Sequence, residues 1–120
     1  MIIKLLEIEK PTLYHNHIYS KECAKKIVEQ INSGKVNFVY PNFNDDTFVN
    51  AVAKVNKAFI DEENNCVRVD IDWLDTPEGR TMKELCAKGG LIDELYSCEF
   101  GQVDKDGKVH DYEIKEITIR

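Results

Sequence analysis

Seven residues constrain this chain more than any others: Val67-Arg68-Val69-Asp70-Ile71-Asp72-Trp73 alternates apolar and charged side chains without a break. Successive side chains of a strand point to opposite faces, so this stretch must bury one side of a sheet and wet the other. The chain therefore needs neighbouring strands and something to cover Val67, Val69, Ile71 and the terminal Trp73, which reads as a core anchor. With 120 residues there is length for one such core in one domain spanning 1–120. Apolar residues make up 42% and charged residues 32%, a globular balance that excludes a disordered chain.

The other elements follow from local chemistry. Residues 2–8 read as a short strand that ends before Pro11. Ser20 is an N-cap, its hydroxyl placed to accept an orphan backbone N–H of the first turn. Cys23, Ala24, Ile27, Val28 and Ile31 then form one helical stripe, and Gly34 stops the helix. Residues 36–40 read as a strand and Pro41 to Asp46 as a polar loop. Residues 49–60 fit helix or strand by pattern, and the turn signal at 61–65 favours a strand leading into the alternating one. Thr76-Pro77 opens a second helix, with Thr76 as cap and Pro77 at its first position. Met82, Leu85 and Cys86 supply its expected buried stripe, and Gly89-Gly90 ends it. A closing hairpin covers 95–103 and 109–119 around the turn Asp104-Lys105-Asp106-Gly107. Along its return strand Tyr112 and Ile114 share a phase that Ile117 and Ile119 do not, which predicts a bulge near Lys115-Glu116. The expected fold class is α+β: a small, mostly antiparallel, partly closed β-barrel or sheet with two flanking helices.

Charge and cysteine usage narrow the function classes. The net charge of −6 repels phosphate backbones, so no nucleic-acid partner is expected. Four cysteines without a Cys-x-x-Cys pair disfavour structural zinc, and a reducing cytosol is the expected compartment. The opening Met1-Ile2-Ile3-Lys4 is not expected to be a cleavable leader, and no apolar run has the length of a membrane span. His15 and His17 lie two apart, but two imidazoles without a third donor do not make a metal site. Asp70, Asp72 and Asp75 read as a solvated strand face. No metal and no cofactor are expected. Tyr40 and Phe43, two aromatics in and beside the polar loop, are the candidate binding residues.

The stretch Leu74-Asp75-Thr76-Pro77-Glu78-Gly79-Arg80, followed by a helix ending in Gly89-Gly90, resembles the helix upstream of the catalytic serine in tailed-phage prohead (head maturation) proteases. Asn16-His17-Ile18-Tyr19-Ser20 resembles the lead-in to that family's first helix. Phe100-Gly101-Gln102-Val103 with Asp106-Gly107 and Asp111-Tyr112-Glu113-Ile114 resembles its closing hairpin. Together these cover roughly residues 11–119. The resemblance implies a small β-barrel with flanking helices, akin to herpesvirus assemblins, and a role in phage head assembly, in the host cytoplasm or the virion.

It also implies a catalytic serine, and the matching segment Tyr96-Ser97-Cys98-Glu99 leaves Ser97 as the candidate. The family's arginine and glycine after the serine are replaced by Cys98 and Glu99, and a carboxylate there would repel a developing oxyanion. Where the family has its histidine, this chain has Tyr40 before Pro41, and a phenol with an ordinary pKa of about 10 is a poor base. Counting along the hairpin sets His110 opposite residue 101, roughly 13 Å from Ser97, and Glu113 beside Cys98. The expected function is that of a non-catalytic relative, binding a protein partner such as a phage capsid or scaffold protein. The alternatives are a divergent active serine protease using Ser97, and a small phage-encoded inhibitor of a host defence protein. Nothing in the residues specifies an oligomeric state.

Overall fold

The computed structural model describes residues 1–11, 17–41, 50–88 and 95–119, without the side chains of 96–102, 110 and 111. Six strands and two helices follow in the order β1 (Ile2–Glu7), α1 (Lys21–Asn32), β2 (Phe38–Tyr40), β3 (Ala53–Asp61), β4 (Cys66–Trp73), α2 (Pro77–Ala87), β5 (Tyr96–Val103) and β6 (Val109–Thr118). The strands form one sheet in the order β1-β4-β3-β2-β6-β5. Every pairing is antiparallel except β2 with β6. No ladder closes the sheet into a barrel. Its two ends meet at a single backbone bond, from Leu95 N–H to the Lys4 carbonyl at 2.8 Å. The expected α+β class, mostly antiparallel with two flanking helices, is what the chain forms.

β4 fulfils its alternation: Val67, Val69 and Ile71 are fully buried, whereas Asp72 is exposed and Trp73 half-buried against the core. Its neighbours keep phase with it by bulging. β1 pairs Lys4 with Arg68 and then Leu6 with Val67, so Leu5 is an extra residue and both Leu5 and Leu6 face inward. β3 skips Asn56 in the same way, which keeps Val55 and Ala58 both buried. The expected strand over 49–60 is thus present, beginning at Ala53. β6 carries the expected slip: Cys98 pairs with Glu116 and Glu99 with Ile114, leaving Lys115 as the extra residue. Tyr112, Ile114 and Ile117 are consequently all buried.

Between β3 and β6 the sheet depends on α1. β2 is only three residues long and pairs with Ala53 and Lys54 on one side and with Ile117 and Thr118 on the other. Beyond its end, β3 and β6 both have backbone groups without a strand partner. Two amide side chains at the C-terminal end of α1 supply one. Gln30 donates to the Tyr112 carbonyl at 2.8 Å and accepts from Ile114 N–H at 2.7 Å. Asn32 donates to the Ala58 carbonyl at 3.0 Å and accepts from Ala58 N–H at 2.8 Å. Each primary amide has the donor and acceptor that a passing peptide group would offer. Further along β6, Ile18 completes the edge, donating its N–H to Gly107 and accepting from Val109 N–H.

The helix fits this role locally. The Ser20 hydroxyl accepts from Cys23 N–H at 3.0 Å, and Gly34 turns the chain at φ +89°. Cys23, Ala24, Ile27 and Ile31 bury the expected stripe against β3 and β6, with Val28 half-buried.

The second helix departs from expectation. Thr76 caps it, accepting from Gly79 N–H at 3.1 Å, with Pro77 at its start and Arg80 on Asp75 at 2.6 Å. Its expected buried stripe is absent. Met82 and Cys86 are half-buried, Leu85 is exposed, and only Gly79 is buried. The reason is that α2 meets the sheet over its first turn. A Cβ on Gly79 would lie 2.1 Å from the Leu74 carbonyl oxygen, and that close approach holds the helix start while the rest leans away. The segment Asp75 to Arg80 is therefore a complete structural cap: ion pair, hydroxyl cap, proline start and glycine contact.

Two outcomes follow. Gln30→Ala and Asn32→Ala should each lower unfolding free energy by about 1–3 kcal/mol, because each strands partly buried backbone groups; urea denaturation measures it, and losses under about 0.5 kcal/mol would be at odds with the bridging role. Asp61 accepts from the Asn64 side-chain amide, from Arg68 and from Asn64 N–H, which pull its carboxyl from 3.8 to about 2. A carboxyl lowered on folding stabilises above its unfolded pKa, and that contribution disappears as pH falls through the folded value. Stability should thus decline between about pH 4 and 2, and Asp61→Asn should be less stable at neutral pH with a flatter acid limb.

Candidate functional site

Tyr40 ends β2, and its carbonyl accepts from Ile119 N–H at 2.9 Å. Val39 between the two aromatics is fully buried, while Phe38 and Tyr40 are half-buried, on the opposite face by alternation. The parallel register places Tyr40 beside Thr118 and Val39 beside Ile117. The bulge at Lys115 resets the phase of β6 and brings Glu116 to the face shared by Phe38 and Tyr40. Without that extra residue, Glu116 would take the inward position that Ile117 occupies.

A half-open cleft of about 210 Å³ lies here, lined by Lys35, Val36, Asn37, Phe38, Tyr40, Lys115 and Glu116. Among the described residues, the only buried polar or charged side chains are Glu116, 3% exposed, and Thr118, fully buried. Both belong to this corner of the sheet. Buried polar groups need partners, and their concentration beside a concavity marks it as the candidate site. Lys35 pairs with Glu113 across the rim. Asn37 donates to the Gly34 carbonyl at 2.9 Å, which fixes the wall between α1 and β2. Of these groups sequence reasoning found Tyr40 alone; the predicted bulge was the signal that could have led to Lys115 and Glu116. Phe43, the second aromatic, lies outside the described residues.

Ser97 belongs to a different place. It is registered opposite Ile117 on β5, and Ile117 opposite Val39, so the row across the three strands is Val39, Ile117, Ser97. His110 is opposite Gln102, rather than residue 101, because Gly101 is bulged. Seven positions along β6 separate His110 from Ile117, on the order of 20 Å. His17 is half-buried next to Ile18, which bridges to Lys108, at the same turn end of the hairpin. His15 lies outside the described residues. Cys98 is opposite Glu116, not Glu113, because the Lys115 bulge shifts the count.

The remaining sequence candidates are accounted for by local pairs. Asp70 accepts from the Met1 ammonium at 3.3 Å, Asp72 from the Asn56 amide at 3.0 Å and Asp75 from Arg80. Among the described residues no three His, Cys, Asp or Glu side chains converge as metal donors. No described helix is long and apolar enough to cross a membrane. Cys23 and Cys66 are buried, Cys86 is half-buried, and burial pushes the Cys66 thiol up.

No family model, curated protein or solved structure matches this chain.

Under native conditions Cys86 should react with an alkylating reagent well before Cys23 and Cys66, which should stay protected until the chain unfolds. Peptide mapping after a short pulse reads this out; equal labelling of the three would contradict the burial described.

Proposed function

We propose that this chain is a non-catalytic relative of the phage prohead proteases, and that it acts in head assembly by binding a capsid or scaffold protein through the cleft beside Tyr40. One observation carries the loss of catalysis: Ser97 and the histidine positions His17 and His110 lie at opposite ends of the β5–β6 hairpin. A serine hydroxyl attacks a peptide only with a base in hydrogen-bond reach, and about 20 Å removes both from that reach. The kinship rests on the Leu74–Arg80 segment and the two further stretches that resemble the family, in the family's order. The capping geometry of Asp75, Thr76, Pro77, Gly79 and Arg80 gives that segment a role in the fold that outlasts catalysis.

The cleft favours a protein partner over a metabolite. Small-molecule sites run to about 300–1,000 Å³; at about 210 Å³ this one seats one or two side chains. Tyr40, with Phe43 from the loop that follows, supplies the aromatic surface favoured at binding hot spots.

Purified protein should show no self-cleavage and no labelling by a serine-reactive phosphonate, and Ser97→Ala should change neither. Co-expressed with the capsid and scaffold proteins of its phage, it should co-purify with one of them at fixed stoichiometry, and Tyr40→Ala should weaken that association at least tenfold. Labelling that disappears in Ser97→Ala would establish the divergent protease instead. Tight capture of one host protein, without entry into particles, would establish the inhibitor.

A further inference from the structure

Resting on the reading of the cleft as a protein-binding site, we infer that its partner presents an acidic segment, one carboxylate of which replaces Glu113 on Lys35. The charges lining the cleft are Lys35, Lys115 and Glu116. Both lysines are exposed, whereas Glu116 is 3% exposed and presents almost none of its carboxylate to an incoming chain. The surface a partner meets is therefore cationic, with the half-buried rings of Phe38 and Tyr40 between. That pattern suits carboxylates interleaved with apolar side chains.

Two objections are met by magnitude. The protein as a whole carries −6 and repels an acidic partner, but at physiological salt charges beyond about 8 Å are largely screened, so the contact charges decide. Lys35 is already paired with Glu113. That carboxylate is 60% exposed, and exposed pairs are weak, so a carboxylate delivered by a docked segment can displace it. Glu113 then acts as a resident competitor for the site.

The test uses the full chain, isotopically labelled, titrated with a capped peptide of alternating glutamate and leucine, and separately with its lysine-leucine counterpart. The acidic peptide should shift the amides of residues 35–40 and 115–116, more strongly at low salt. Lys35→Glu and Lys115→Glu should each weaken it at least tenfold, while Lys25→Glu on the exposed side of α1 should leave it unchanged. Glu113→Gln should tighten it about two- to fivefold, since removing the competitor removes a surface ion pair of ordinary strength. A purely structural role for Glu113 predicts no such gain. Shifts at these residues from the basic peptide alone would leave the cleft a binding site and overturn the acidic partner. The same follows if capsid association survives Lys115→Glu but not Tyr40→Ala. Absence of shifts with both peptides, or no tightening by Glu113→Gln, would also overturn it.

Discussion

The sheet holds together because two side-chain amides do the work of a missing strand. β2 spans Phe38–Tyr40, too short to pair the full lengths of β3 and β6, each more than twice as long. An edge left open inside a core would strand N–H and C=O groups at about 1–3 kcal/mol each. Gln30 and Asn32, two residues apart at the end of α1, turn to opposite sides and satisfy Tyr112, Ile114 and Ala58. The helix is thereby fixed in position and rotation by directional bonds as well as by the apolar stripe from Cys23 to Ile31. The same arrangement explains why the sheet curves without closing: its middle is held apart by a helix, and its ends touch only at Leu95 and Lys4.

The cleft is a consequence of that geometry. Because β2 is short, the chain leaves α1 through Lys35, Val36 and Asn37 along the rim of the gap and brings Phe38 and Tyr40 to the face away from the core. Because β6 bulges at Lys115, Glu116 comes round to the same face while Ile114 and Ile117 both stay inward. One short strand and one extra residue thus account for the placement of the aromatic, cationic and buried acidic groups that line it. Ser97, two strands across from Val39, shares none of this environment.

Much of the fold was legible locally. Alternation identified β4, the 3.6-residue stripe and Ser20 identified α1, and Thr76-Pro77 identified the start of α2. The phase slip between Ile114 and Ile117 gave the β6 bulge to the residue. These succeed because each is decided within a few bonds of the residues concerned. The bridging amides were not legible, since nothing near Gln30 or Asn32 reveals which backbone groups fall opposite them, 82 and 26 residues away. The loose docking of α2 was missed for a related reason: Met82, Leu85 and Cys86 have helical spacing, but whether a stripe is buried depends on how close Gly79 lets the first turn come and where the rest then points. At the site, Tyr40 was recognised as an exposed aromatic. Lys35, Lys115 and Glu116 read as ordinary surface charges until the parallel β2–β6 register put them together.

Hydrogen exchange on the native protein tests the central claim most directly, through the backbone N–H groups of Ala58 and Ile114. Both donate to side-chain oxygens of α1 rather than to a strand. If those amides complete the sheet, the two N–H groups should exchange as slowly as that of Ile71, deep in the β4 ladder, and speed up selectively in Asn32→Ala and Gln30→Ala respectively, while Ile71 keeps pace with global unfolding. Exchange of Ala58 and Ile114 in the native protein at the rate of exposed loop amides would show that α1 does not close the gap between β3 and β6.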